Sequence, residues 1–135
     1  MNYLVDANVL SETMRQSPDP RVVAWLRSHE QALVIDPIIL GEIRLGVLSL
    51  PHGRKRIALE SWFETVVRAV KCLPWDRTIG ERWARLVVEM NQKGKRLPAL
   101  DSMIAATALT HNLVVVTRNV GDFQRAGVRV LNPFM

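Results

Sequence analysis

Leu113-Val114-Val115-Val116 is followed directly by Thr117-Arg118-Asn119 and preceded by Asn112. Four apolar residues without alternation, three of them β-branched, leave no face of an extended segment for water. They predict a strand covered on both sides, as in a parallel sheet with helices packed over it. The flanks agree. Pro98 opens an apolar helix over residues 99–110 that Asn112 ends, and a short turn or helix holding Asp122 and Phe123 leads to an edge strand over 128–131. Towards the N-terminus, Leu4-Val5 begins a short strand that stops at Asp6, with Asn8 as cap for a helix over 9–16. Asp19-Pro20 is a cap followed by a first-turn proline, and Val22, Val23 and Leu26 form the stripe of the helix it starts.

A second strand is expected over 32–35, and Pro37 opens a helix through about 48 in which Ile39, Ile43 and Val47 share a face. Leu50-Pro51-His52-Gly53 breaks the chain before a long amphipathic helix over 54–70, with Ile57, Trp62, Val66 and Val70 as inward candidates. Residues 71–73 suit a short strand, and 76–92 a further long helix ending near Gly94. Strands separated by helices predict an α/β fold, a central, mostly parallel sheet of four to five strands flanked by helices. No composition shift divides the 135 residues, so one domain over 1–135 is expected.

The apolar runs are too short to cross a bilayer, and the N-terminus lacks the basic and long apolar regions of a secretory signal. One cysteine, Cys72, allows no internal disulfide, which suits the cytoplasm; within Val70-Lys71-Cys72-Leu73 it reads as a buried strand thiol. The net charge of +5 points to an anionic partner, nucleic acid or an acidic protein segment.

The acids stand where apolar residues are expected. Asp6 ends the first strand and Asp122 follows the strand 113–116 by a few residues, so both can reach the carboxyl edge of the sheet, where ligands of such folds bind. Thr117 adds a hydroxyl there. Asp101 shares a helix face with Ile104, Ala105 and Ala108, and Glu42 lies among Ile38, Ile39, Ile43 and Leu45. A lone buried carboxylate takes up a proton or finds a cation. Four acids from four segments therefore suggest a shared cation. Oxygen ligands without a His or Cys cluster favour Mg²⁺ or Mn²⁺ over zinc. Taken singly, each acid has an ordinary use: Asp6 as a helix cap, Asp101 in a first turn, Glu42 beside an arginine, Asp122 in a turn. His29, His52 and His111 have no ligand spacing to one another and read as surface or capping residues.

The ordered set of motifs resembles the PIN-domain ribonucleases, and among them the VapC-like toxins of bacterial toxin–antitoxin pairs. The resemblance rests on Tyr3-Leu4-Val5-Asp6-Ala7-Asn8-Val9-Leu10-Ser11-Glu12, Ile38-Ile39-Leu40-Gly41-Glu42-Ile43-Arg44-Leu45-Gly46, Leu100-Asp101-Ser102-Met103-Ile104-Ala105-Ala106 and Val116-Thr117-Arg118-Asn119-Val120-Gly121-Asp122-Phe123, with Val130-Leu131-Asn132-Pro133-Phe134 at the end. It implies a compact PIN-like domain with an acidic pocket for Mg²⁺ or Mn²⁺. Asp6 and Asp101 would be the principal ligands, Glu42 and Asp122 would complete the quartet, and Asn8 and Thr117 would hydrogen-bond around it. It also implies a homodimer, a small antitoxin that closes the pocket, often through a basic side chain, and binding of promoter DNA only through the complex with that antitoxin. Ala7 stands where the family commonly carries Thr or Ser.

The activity expected is hydrolysis of RNA phosphodiester bonds by a metal-activated water, with all four acids catalytic. Arg118, and Lys93, Lys95 and Arg96 in the loop before Pro98, are candidates to hold the substrate phosphate, though each equally suits a solvated face. Trp25, Trp62 and Trp83 sit on helices with more apolar surface than so small a sheet needs; core packing is the default, self-association or antitoxin binding the other use. Two further readings compete: a catalytically silent module that binds nucleic acid or a partner, and a small phosphohydrolase. The latter wants a second acid two residues after Asp6, where Asn8 stands.

Overall fold

The structure, a computed structural model, describes residues 2–135. Among them five strands form one sheet in the order β3-β2-β1-β4-β5, every neighbouring pair parallel: β1 (Tyr3–Val5), β2 (Leu33–Ile35), β3 (Lys71–Cys72), β4 (Val114–Val116) and β5 (Val130–Leu131). The helices between them are α1 (Ala7–Leu10), α2 (Pro20–Ser28), α3 (Pro37–Leu48), α4 (Arg54–Trp62), α5 (Arg77–Gln92), α6 (Ala99–His111) and α7 (Val120–Arg125). The α/β architecture expected from the chain is the one observed.

Successive residues of a strand point to opposite faces, and both sets are buried in β1 and β4: Leu4, Val5, Val115 and Val116 have no exposed surface. Both faces are therefore covered, as the unalternating valines require. The chain leaves β1 for β2 on one side and later builds β4 and β5 on the other. That reversal puts a topological switch point between β1 and β4, where parallel sheets open a crevice beyond their carboxyl ends.

Several strand ends are joined to the next helix by an aspartate. Asp6 caps α1 by accepting from the Ala7 amide, Asp36 caps α3 through the Ile39 amide at 2.9 Å, and Asp76 caps α5 through the Ile79 amide at 3.1 Å. The cap of the first helix is thus Asp6 rather than Asn8, and the helix expected over 9–16 is a single α turn continued by a 3₁₀ turn over Ser11–Met14. Pro37 at the start of α3 and Asn112, left-handed at φ 54°, past the end of α6 fix those boundaries. Ile39, Ile43 and Val47 face the core from α3, and Ile104, Ala105 and Ala108 from α6. Each fully buried Ile or Val contributes about 1.5–3 kcal/mol.

The segment after Gly53 departs from the reading as one amphipathic helix. α4 passes into a π-helical turn over Phe63–Val67, which rotates the inward stripe. Trp62, Phe63 and Val67 are buried, whereas Ile57 and Val66 are 68% and 47% exposed. Cys72 is exposed rather than buried, because β3 is only two residues long and lies at the sheet edge.

Asp36 has no exposed surface and receives, besides its capping bond, the Thr107 hydroxyl at 2.6 Å. That bond ties the carboxyl end of β2 to α6. Thr107→Val keeps the shape and strands the carboxylate, so it is expected to cost about 1–3 kcal/mol. Urea unfolding measures this; an unchanged midpoint would show the bond to be dispensable.

Candidate active site

The site is built on the ends of β1 and β4. The Asp6 amide donates to the Val116 carbonyl at 2.9 Å, which extends the ladder one residue past β1 and aims the Asp6 side chain into the crevice. Asp6 is 5% exposed. Its Oδ1 accepts the Ala7 amide at 2.8 Å, and its Oδ2 accepts the Thr117 hydroxyl at 2.8 Å and Asn8 Nδ2 at 3.2 Å. Thr117 Oγ accepts in turn from Asn8 Nδ2 at 3.2 Å and from the Asn119 amide at 3.0 Å, so its lone pairs and proton are all used. Asp6 is thus helix cap and site residue at once. Since its cap uses the Ala7 backbone, the hydroxyl that Ala7 lacks is not needed for it.

Asn119 assembles the other half. It occupies the cap position of α7 yet makes no capping bond with its side chain. Its side-chain Nδ2 instead donates to Asp101 Oδ2 and to Asp122 Oδ2, each at 2.9 Å, and so holds the carboxylates of two helices together. Arg125, one turn along α7, pairs with Asp122 Oδ1. Glu42, on α3 beside the buried Ile39–Ile43 stripe, is half-buried, and its Oε1 is a buried oxygen with no hydrogen-bond partner.

Burial raises the pKa of Asp6, against the hydrogen bonds from Thr117, the Ala7 amide and Asn8. Burial also raises Glu42, helped by the charges of Asp6 and Asp36. Asp101 is pushed up to about 7, first by burial, then by its neighbour Asp122 and the charges of Asp6 and Glu42. Asp122 goes the other way, held below the ordinary value chiefly by the Asn119 amide, with Arg125 adding to it. Asp101 is thus the acid that feels the other three.

Among the described residues no three carboxylate, imidazole or thiolate groups already stand as a complete ligand set. Asn119 and Arg125 occupy oxygens that an ion would want. The donor chemistry nevertheless fits a hard divalent cation: crowded acids with raised pKa values and a buried, unpartnered Glu42 oxygen are what such an ion relieves. Asp6, Asp101, Glu42 and Asp122 are the residues able to hold it.

Glu42 also lines a groove of about 800 Å³ together with Ala7, Ser11, Arg15, Ser17, Lys55 and Trp62. Arg118 stands at the site with its guanidinium 3.8 Å from the Phe134 ring centroid. Lys93, Lys95 and Arg96 are exposed in the loop ahead of α6, and the ion pairs of the described residues do not include them. Sequence reasoning missed Asn119, Arg125 and Asp36. Only Asp36 carried a signal, the strand-Asp-Pro pattern of a cap.

An acidic crevice at the switch point of a small parallel sheet defines a class of α/β site made to gather carboxylates. Comparison with known proteins places the chain within that class: the PIN domain model matches residues 3–128. The chain is similar to toxin FitB of Neisseria gonorrhoeae, 38% identical with 97% of each chain covered, and to VapC ribonuclease Y4jK of Sinorhizobium fredii, 32% identical with 97% and 96% covered. Among solved structures, one titled FitAB bound to IR36 DNA fragment contains a chain that superposes with a TM-score of 0.92 at 36% identity, covering 98% of this chain and 96% of that one. This protein belongs to the PIN-domain family, in the branch of the VapC and FitB toxins.

An acid whose folded pKa exceeds its unfolded one favours the folded state while it is protonated. The Asp101 contribution is complete below the ordinary 3.8 and lost as pH rises through about 7. Thermal unfolding in EDTA is therefore expected to show a lower Tm at about pH 8 than at about pH 5.5, and Asp101→Asn should flatten that fall. Parallel profiles for the two proteins would mean that Asp101 is not the group crowded by its neighbours.

Proposed function

We propose that this protein is an endoribonuclease that hydrolyses RNA phosphodiester bonds with Mg²⁺ or Mn²⁺, and that it is the toxin of a toxin–antitoxin pair. The observation that carries this reading is the crowding of Asp101, pushed up to about 7 by burial and by Asp122, Asp6 and Glu42 near it, with Glu42 Oε1 unpartnered. The relatives named as toxin FitB and VapC ribonuclease Y4jK support the same assignment.

A bound divalent ion would lower the pKa of a water and neutralise charge on the phosphate. Asp6 and Asp101 are its principal holders, with Glu42 and Asp122 beside them. Thr117 and Asn8 keep Asp6 aimed into the crevice, and Asn119 sets the separation of Asp101 and Asp122. Ionised acids repel an RNA phosphate, so the crevice favours substrate only once a cation has balanced them. Arg118, with Lys93, Lys95 and Arg96 around the approach, supplies positive charge for the strand.

The partner is a small antitoxin whose basic side chain closes the acidic entrance, with the groove beside Glu42 as its seat and promoter DNA bound through the complex. That the FitAB structure has a DNA fragment bound supports the DNA part of this reading. Exposed Leu45 and Leu48 on α3, with Val88 and Leu100, offer apolar surface for a homodimer. Among the described residues no helix is long and apolar enough to cross a membrane, in keeping with action in the cytoplasm.

Purified protein with labelled, structured RNA is expected to cut in Mg²⁺ or Mn²⁺ and to stop on addition of EDTA. Asp6→Asn and Asp101→Asn should reduce cutting to background while keeping the wild-type circular dichroism. Asn119→Ala should lose about 10–100-fold. Wild-type rates in a metal-saturated Asp101→Asn would overturn the assignment. Binding without cutting would favour a silent module, and phosphate release from small esters a phosphohydrolase.

A further inference from the structure

Arg15 and Arg118 come from opposite ends of the chain but answer to one carboxylate. Glu12 is 4% exposed, and its Oε2 accepts the Asp19 amide at 2.8 Å. Its Oε1 accepts from Arg15 Nη1 at 3.3 Å and stands 4.0 Å from Arg118 Nη2. A single negative charge thus faces two guanidiniums, whose side chains are 63% and 55% exposed. The third arginine nearby, Arg21, is already matched by both oxygens of Asp19 at 3.2 and 2.9 Å, so it adds no free charge.

Exposed arginines are usually solvated and worth little. These two differ because they are held. Glu12 is buried and fixed by the Asp19 amide, and the Arg118 guanidinium is stacked on Phe134. The Arg118 backbone is anchored as well: its amide donates to Asn8 Oδ1 at 3.1 Å, and Asn8 donates to Asp6 Oδ2. The pair therefore has a set position relative to the acids. Arg15 and Ser17 line the same groove as Glu42, and both also line the shallow basin that contains Glu12 and Arg118. Arg15 thus belongs both to the groove that Glu42 lines and to the basin where one carboxylate faces two guanidiniums. Guanidinium forks match the oxygens of a phosphate, and pre-ordering them lowers the entropic cost of binding.

We propose that Arg15 and Arg118 form a phosphate-binding site for the RNA strand, engaging a backbone phosphate that flanks the scissile one, with Glu12 as the residue that positions both. The site deepens the ribonuclease reading and rests on it. It gives the strand a defined path, from the acids along the groove to the arginine pair, which the exposed loop lysines do not.

The test is steady-state cleavage of an RNA oligonucleotide by wild type and by the double variant Arg15→Ala/Arg118→Ala. KM should rise about ten- to hundredfold with kcat nearly unchanged. The slope of log kcat/KM against log salt should become shallower by about 0.7 for each phosphate no longer neutralised. Arg15→Lys/Arg118→Lys, which keeps the charges, should recover much of the loss. Once the cut is mapped, an RNA with one uncharged methylphosphonate next to it should weaken the wild type and have no further effect on the alanine variant. Unchanged KM and salt slope in a variant that still cuts would overturn the site alone, as would a fall confined to kcat. Normal cutting combined with lost affinity for a co-expressed antitoxin would reassign the pair to the protein interface. Absence of chelator-sensitive cutting by the wild type would remove the nuclease reading, and this site with it.

Discussion

The Thr117 hydroxyl, donating to Asp6 across 2.8 Å, joins the carboxyl ends of β1 and β4 at the place where the sheet reverses its build order. The hydrogen bonds around Asp6 centre on it. The hydroxyl's remaining capacity orients Asn8 and the Asn119 amide, and through Asn119 the acids of α6 and α7. All strands run one way, so each crossover returns the chain to the same edge. Side chains widely separated in sequence can then meet there without any long loop. The short chain gathers its acids by topology.

Gathering them has a cost that the surroundings offset in different ways. Asp36 is fully buried, but both its oxygens are engaged, so it acts as a bolt between β2 and α6. Asp6 is nearly as buried and equally well hydrogen-bonded, but faces the crevice. Glu42 has a buried oxygen without a partner and Asp101 stands against Asp122, and burial with neighbouring charge raises the pKa of each. Strain of this kind is expected where a fold reserves a place for chemistry. The local rules it breaks are obeyed elsewhere in the core.

Much of this was legible in the chain. The valine run 114–116 announced a strand covered on both faces, and Asp-Pro at 19–20 announced a helix start. Asp6, Glu42, Asp101 and Asp122 stood out because acids at strand ends or on apolar helix faces conflict with burial. What stayed hidden was what depends on contacts between distant segments. The π turn after Trp62 shifts the helix register by a geometry that periodicity cannot reveal, and Val66 within it faces outward. Cys72 sits among apolar neighbours in sequence, but lies at the margin of the sheet. Asn119 carries no signal of its own in the chain, and only the fold turns its side-chain amide towards two acids. Glu12 falls within the helix expected over 9–16 with nothing to single it out, and only the fold brings Arg118 to it.

The two outermost strands, β3 and β5, are each two residues long. A row of unpaired amides and carbonyls that short offers almost no template for an incoming extended chain, whether a second copy or an unfolded neighbour. Lys71 on one margin and Arg129 just before the other place a positive charge where a foreign strand would have to lie. A sheet rich in valine at its centre is thereby closed to fibril-like stacking at its rims, and protein partners are left to engage the molecule through side-chain surfaces.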